Sequence, residues 1–426
     1  MEHEIVIKKI IPGGSGLGHL NDGKVCLVDH VLPGEAVRVQ TTSCQRGYDR
    51  GVVSEIIEAS PLRVRPPCPW YGSCGGCDFQ HIDPVAQLHI KEEILRETLT
   101  RQGPAPALPA LSSALPSPAL FGYRHRLLLH VDRRQRLGLY RAGSNQVVEI
   151  EHCAIVTPGI NRVLAALRDN DAPGLPSWCR NLEILQSPAD GRTFLVLHRR
   201  GHRQGRIPER FTAWACGVVN GLFCPGTFAM DDAPAELRQR FCFASLDYQL
   251  HWNPGCFFQS NARHNENLVE LAVRLAGNID DTRVLDLFCG MGNFSVPLAL
   301  SGARVTGIEH NHHAIARARD NTARLAVHAR FLATDTAAFL DNPTGTSFDF
   351  VLLDPPRAGL TGGADSARAL AALGAHHILY ISCDPATLGR DLKLLHTHRY
   401  QMVSVNLVDM FPHTHHIEAV VLLEKN

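Results

Sequence analysis

A chain of 426 residues, 45% hydrophobic and 20% charged, is too long for one ordinary core and suits two or three domains of a globular protein. Lys plus Arg and Asp plus Glu both number 42, so a global basic footprint is excluded and any nucleic-acid surface has to be a local patch. No run of about eighteen apolar residues occurs and the start, MEHEIVIKKI, lacks the layout of a signal peptide, so a cytosolic chain with no membrane partner is expected, its 13 cysteines being mostly plain buried thiols with a few used for metal binding or catalysis.

Residues 5–58 alternate short β-rich runs (EIVIKKI, KVCLVD, EAVRVQT, RGVVSEII) with turn clusters such as Pro12-Gly13-Gly14 and Leu32-Pro33-Gly34-Glu35. This predicts a small antiparallel, OB-like barrel over residues 1–60, which fits an RNA-binding module and a plain structural one equally well. A cysteine knuckle, PPCPWYGSCGGCDFQH, occupies 61–82. An amphipathic helix follows over 83–102, with Asp83 as cap, Pro84 in its first turn, and Leu88, Leu95 and Leu99 on one side. Gly103 to Pro118, rich in Pro, Ala and Ser, reads as a loop or linker. The rest of 103–255 reads as a β-rich central domain with two arginine-dense stretches, Arg124, Arg126, Arg133, Arg134, Arg136 and Arg141, then Arg199, Arg200, Arg203, Arg206 and Arg210.

In residues 256–426 the texture changes to apolar strands, RVLDLF, ARVTGIE, FDFVLLD and HHILYIS, separated by helix-length segments, the pattern of a doubly wound α/β parallel sheet. VSVNLVDM and IEAVVLLEK, joined by a short connection, should form an antiparallel pair at its end. The run Val284 to Phe294, VLDLFCGMGNF, is a strand entering a glycine turn, and the next strand ends on Glu309, nineteen residues past Gly290, where an acidic side chain can hold ribose hydroxyls. With no third glycine the loop disfavours a dinucleotide and favours a nucleoside ligand without phosphates.

Ligands of open parallel sheets bind beyond the carboxyl ends of the strands, and there stand Asp354-Pro355-Pro356-Arg357 and Ser382-Cys383-Asp384-Pro385. The two prolines should hold a carboxylate and an arginine at the sheet edge. Cys383 precedes a helix start whose amides favour thiolate over thiol, although for an isolated cysteine a buried, inert thiol is the commoner outcome.

FFQSN at 257–261, DLFCGMGNF at 286–294, DPPRAGL at 354–360, SCDPATLGRDL at 382–392 and HIEAVVLLE at 416–424 resemble the successive motifs of the bacterial RNA (uracil-5-)methyltransferases. The resemblance spans the C-terminal half, and the front barrel resembles the TRAM domain of the ribosomal-RNA members. It implies a Rossmann-like class I methyltransferase that moves a methyl group from S-adenosylmethionine to C5 of a uridine, first in 23S rRNA and second in tRNA, and that acts as a monomer. It further implies that Cys383 is the nucleophile, that Glu418 removes the C5 proton, and that Gln259, Phe288, Asn293, Glu309, Asp335 and Asp354 line the S-adenosylmethionine site. The chemistry agrees: C5 of uracil is a poor carbon nucleophile until a thiolate adds to C6. Read without the resemblance, Glu418 is a surface glutamate at a strand start.

Cys68, Cys74 and Cys77 have C-x5-C-x2-C spacing, with Cys153 in EHCAIV as a distant fourth thiol. Four thiolates hold zinc or an iron–sulfur cluster, and spacing alone favours zinc as the commoner cytosolic ligand. The resemblance implies a 4Fe-4S cluster on these four residues, structural or RNA-organising. Because a separate glycine loop serves S-adenosylmethionine, radical chemistry is disfavoured. Tyr123-Arg124-His125-Arg126 departs from the family pattern at His125, and the histidines, His413, His415 and His416 among them, are expected on the solvated surface. Two other functions compete: methylation of an exocyclic amine held by Asp-Pro-Pro-Arg, which would not need Cys383, and a non-catalytic RNA-binding assembly factor.

Overall fold

The computed structural model describes residues 2–104, 109, 111–112, 114–199, 206–224, 227–228, 236–343 and 347–426. Alternating side chains at the front of the chain give a six-stranded sheet, from Glu2–Val6 to Tyr48–Glu58, whose inner face buries Ile5, Ile7, Val28, Val37 and Val39 in one core. One ladder departs from the antiparallel expectation: Val25–Val28 pairs parallel with Tyr48–Glu58. The eleven-residue strand Tyr48–Glu58 has a second edge beyond its antiparallel partner Ala36–Cys44, and the shorter strand satisfies it.

Asp83 caps the helix Pro84–Gln102 by accepting from the N–H groups of Val85 and Ala86. Its Ile90, Ile94, Leu95 and Leu99 share a core with Leu388, Leu392 and Leu395 of the helix Pro385–His396. The front helix is thus part of the C-terminal layer rather than a spacer. Gln102 comes so close to Gly389 that a Cβ at Gly389 would lie 3.1 Å from it.

The expected linker is also drawn in. Leu111 and Leu115 form bridges to Val405 and Val408, and Ser112 and Leu115 donate to the carbonyls of Val405 and Leu407 at 3.0 and 2.8 Å. An edge strand with unpaired backbone groups is covered in this way.

Among its described residues the central region holds the expected strands, in a seven-stranded sheet, and beside them two helices that the sequence did not suggest, Pro158–Ala166 and Glu209–Val218. Ile160, Val163 and Leu164 are buried at helical spacing, a period hidden between longer strand-like runs. Arg133 and Arg134 stand exposed in the turn between Arg126–Val131 and Leu137–Tyr140, whereas Arg136 is drawn to Asp132 at 2.7 Å. Arg200 and Arg203 lie outside the described residues.

The C-terminal sheet has seven strands: β1 (Arg283–Leu287), β2 (Arg304–Glu309), β3 (Ala329–Ala333), β4 (Phe350–Leu353), β5 (His377–Ser382), β6 (Tyr400–Val408) and β7 (Glu418–Lys425). Their spatial order is β3-β2-β1-β4-β5-β7-β6, the first five parallel and β7 inserted antiparallel between β5 and β6. Both faces are covered, which is why the strands read as continuous apolar runs. On one face the hairpin Leu237–Phe243 and Leu246–Trp252 packs Leu237, Phe241, Tyr248 and Trp252 into the same core as Leu268, Val284 and Phe350.

Candidate active site at the strand ends

Parallel strands bring their carboxyl ends to one edge, so Asp286, Phe288, Glu309, Asp354 and Cys383, far apart in sequence, come to the same rim. After β1 the chain turns through positive φ at Phe288 (66°), Gly290 (53°) and Gly292 (93°) before the helix Ser295–Leu300. A Cβ at Gly290 would meet open space; one at Gly292 would lie 3.1 Å from Val296 and strain the φ. Phe288 carries this conformation without being glycine, backbone strain of the kind found at ligand clamps.

Glu309 ends β2 with its Oε1 accepting from the Asn311 N–H at 2.8 Å. Asp354 follows β4, half-buried, and burial pushes its carboxyl up to about 7. Asn293 pairs both amide atoms with Asn265, at 2.9 and 3.1 Å, so its side chain fastens the glycine turn to the helix Ala262–Ala276. Gln259 is buried in the segment that leads into that helix. Asp335 is exposed at the end of β3, where its Oδ1 caps the helix Thr336–Asp341 through the N–H groups of Ala337 and Ala338.

One rim residue was not singled out from the sequence. Asp286, inside β1, is fully buried, accepts from Ser295 Oγ on one oxygen and leaves Oδ1 with no hydrogen-bond partner. Burial, with Asp354 and Glu309 nearby, pushes it up to about 7. An acidic residue within a buried strand was the available signal. A buried carboxylate oxygen without a partner is a polar group left for a donor to satisfy.

Register brings Cys383 and Glu418 together. Ser382 pairs with Ala419 across the antiparallel β5–β7 ladder, so the next residue of β5's exit, Cys383, faces Glu418 at the start of β7. Glu418 is 3% exposed, which overturns its reading as a surface glutamate. Burial holds its carboxyl well above the usual range, Asp354 adds to the rise, and Arg357 opposes it. Cys383 is half-buried at the N-terminal side of the helix Pro385–His396, whose cap is Asp384. The expectation that helix amides would favour thiolate is not met: burial first, then Glu418, push the thiol up to about 11, with Arg357 pulling against them. Arg357, exposed, is the cation of the site, and it donates to His416 Nδ1 at 3.5 Å.

The turn that aims Arg357 is fastened from below. Buried Asp391 accepts from the Leu360 N–H at 2.8 Å and the Tyr380 hydroxyl at 2.7 Å, and Arg390 bridges Asp391 to the Ala358 carbonyl. The histidines beside Glu418 are not solvated as expected. His413 is buried, and burial lowers both His413 and His416 to about 4, because the loop bearing them is covered by the knuckle and the front helix.

At the front, Cys68, Cys74, Cys77 and Cys153 line one cavity of about 140 Å³ with Trp70, Tyr71 and Leu139. Burial raises Cys74 to about 11 and Cys77 to about 12, and each thiol is further raised by its neighbours in the group. Asn161 holds the Cys153 backbone by accepting from its N–H at 2.9 Å and donating to its carbonyl at 3.0 Å. Among the described residues no group of three or more His, Cys, Asp or Glu is gathered as a site for a single metal ion. Cys26, Cys179, Cys224, Cys256 and Cys289 are buried while Cys44, Cys216 and Cys242 are exposed, so fewer of the thirteen are plain buried thiols than expected. Among the described residues no helix is long and apolar enough to cross a membrane.

A β3-β2-β1-β4-β5-β7-β6 sheet that gathers a glycine turn and carboxylates on one rim has the class I fold of S-adenosylmethionine-dependent methyltransferases. The model of the tRNA (Uracil-5-)-methyltransferase family matches residues 235–335 and 342–426. The 23S rRNA (uracil(1939)-C(5))-methyltransferase RlmD of Halomonas elongata is 37% identical over 99% of this chain and 89% of its own length. The protein of the same description from Alkalilimnicola ehrlichii is 33% identical, over 99% and 96%. Among solved structures, the Pyrococcus abyssi tRNA (uracil-54, C5)-methyltransferase in complex with S-adenosyl-L-homocysteine superposes with a TM-score of 0.75 at 25% identity, covering 99% of this chain and all of that one. The chain belongs to the RNA uracil-5-methyltransferase family.

Proposed function

We propose that this protein methylates C5 of a uridine in 23S rRNA through a covalent bond between Cys383 and C6 of the base. The observation that carries the reading is the β5–β7 register, which sets a thiol and a buried carboxyl opposite each other with Arg357 beside them. The thiolate of Cys383 adds to C6, and the resulting enolate makes C5 nucleophilic. S-adenosylmethionine supplies the methyl group as a sulfonium. Glu418 takes the C5 proton, the electrons of the C5–H bond form the C5–C6 double bond, and the C6–S bond breaks to return the thiolate. Arg357 favours the anionic sulfur.

Gln259, Phe288, Asn293, Glu309, Asp335 and Asp354 are assigned to the cofactor site. Glu309 suits ribose hydroxyls and Phe288 an adenine face, while Asn293 and Asp335 would act through the backbone turns they fasten. Cys68, Cys74, Cys77 and Cys153 would hold a 4Fe-4S cluster, for which thiols spread around a cavity suit a group larger than one ion. The cluster would tie the knuckle to the central domain. The front sheet is assigned as a TRAM-like module, within a division into 1–60, 61–82, 83–102, 103–255 and 256–426. The chain is taken as a cytoplasmic monomer.

The reading is supported by the ribosomal-RNA relatives over nearly the full chain. A tRNA uridine is the second reading, favoured by the archaeal structure and the family description. Mapping methylated uridines in total RNA from cells with and without the gene tests both. Loss of one 5-methyluridine from 23S rRNA is expected; loss from tRNA alone would replace the first reading by the second.

A further inference from the structure

The loop 409–417, which delivers Glu418, is tied to the front of the chain. Lys91, wholly buried, donates to Asp409 at 2.6 Å and to the Phe411 carbonyl at 3.0 Å. Gln87 accepts from the His413 N–H at 2.8 Å, and the N–H groups of Asp78 and Phe79 both donate to the His413 carbonyl, at 3.1 and 3.0 Å. Asp78, next to Cys77, then takes hold of His415 twice. Its Oδ1 accepts from the backbone N–H at 2.8 Å, and its Oδ2 lies against ring Nδ1. Gly14, at φ 87°, closes over this pair: a Cβ there would come within 3.0 Å of both Asp78 Oδ2 and His415 Cβ. From His415 the chain continues to His416, which accepts from Arg357, and on to Glu418.

We propose that Asp78 is a positioning residue for the methyl transfer, holding the His415 backbone and ring so that the knuckle fixes Glu418 opposite Cys383. The inference rests on the reading of Cys383 as nucleophile and Glu418 as base. The two groups have separate supports. Cys383 leaves β5 and enters the helix capped by Asp384, which accepts from Ala386 and Thr387 within its own turn. Glu418 enters β7 from the loop that Asp78 holds. Loosening the loop therefore acts on removal of the C5 proton and leaves thiolate addition in place.

The test compares two rates on one RNA substrate: turnover, which needs the base, and covalent trapping by the same RNA carrying 5-fluorouridine, which does not. Because displacement of a catalytic group by about 1 Å costs on the order of a hundredfold, Asp78→Ala should lower turnover roughly ten- to a hundredfold. Its trapping rate should stay within about threefold of wild type, and adduct should build up on the natural uridine. Asp78→Asn keeps an acceptor for the His415 N–H and should recover part of the turnover. Iron content is measured in parallel; if Asp78→Ala lowers it, His415→Ala, remote from the knuckle in sequence, should show the same split. Equal falls in turnover and trapping, or unchanged turnover in both variants, overturn the proposal. Wild-type protein that fails to trap overturns the nucleophile reading beneath it.

Discussion

Burial first, and then the Glu418 carboxyl facing it across the ladder, raise the proton affinity of the Cys383 thiol. The sign for the thiol follows. With its pKa raised toward about 11, the thiolate is the minor form at neutral pH, so the trapping rate with 5-fluorouridine RNA at low substrate should climb as pH rises through the alkaline range. The groups facing the sulfur are Glu418 and Asp354, which push its pKa up, and Arg357, which pulls it down. Arg357→Gln should therefore slow trapping at any fixed pH below the plateau; a pH-independent rate in both proteins would count against thiolate formation as the gate. Glu418→Gln removes a repelling carboxyl, so its trapping should be no slower than wild type. On the natural uridine it should stall with RNA attached, visible as a heavier band on a denaturing gel, while Cys383→Ala gives no band. Continued methylation by Cys383→Ala would bring back the exocyclic-amine alternative.

Elements reach the rim because particular turns are nailed to the layer beneath. The segment after β4 is held by Asp391, whose carboxylate receives the Tyr380 hydroxyl and the Leu360 N–H inside the core. Asp391→Ala would leave those two buried donors without their acceptor, a loss of about 2–4 kcal/mol in urea unfolding. A loss below about 1 kcal/mol would mean that the turn holds itself. Gly359 is required at the same spot, since at φ 71° an added Cβ would sit 2.3 Å from Asp391 Oδ2. This support was present in the sequence as Arg390-Asp391 within SCDPATLGRDL, yet nothing in spacing says that an acid nearly two turns inside a helix reaches a loop about thirty residues earlier. The histidines of loop 409–417 show the same limit. Polar residues near a strand start ordinarily face solvent, and only the knuckle and front helix folding over this loop bury them.

At the scale of the whole chain, residues distant in sequence share the cysteine cavity: the knuckle supplies Cys68, Cys74 and Cys77, and the central region supplies Cys153. If a cluster joins them, Cys153→Ser should lose iron and brown colour after anaerobic purification, while Cys179→Ser, in the core of the central sheet, should keep about four irons per chain. Equal iron in the two variants would remove Cys153 from the site, and zinc in the wild type would remove the cluster. What the sequence determined by itself was whatever is local or periodic. The apolar strands of the α/β half, the glycine turn, the Asp83 helix cap and the strand-end position of Cys383 all follow from backbone chemistry and burial patterns that a short window contains. The tertiary structure alone decided which distant groups meet. Antiparallel insertion of β7 puts Glu418 against Cys383 and, with burial, reverses the thiolate preference that the helix start suggested. Packing of the front helix and knuckle onto the last loop buries His413 and half-buries His415 and His416, all three expected on the surface. Register joins strands that no short window contains, and the last loop is buried by residues hundreds of positions away, so a local pattern carries no information about either.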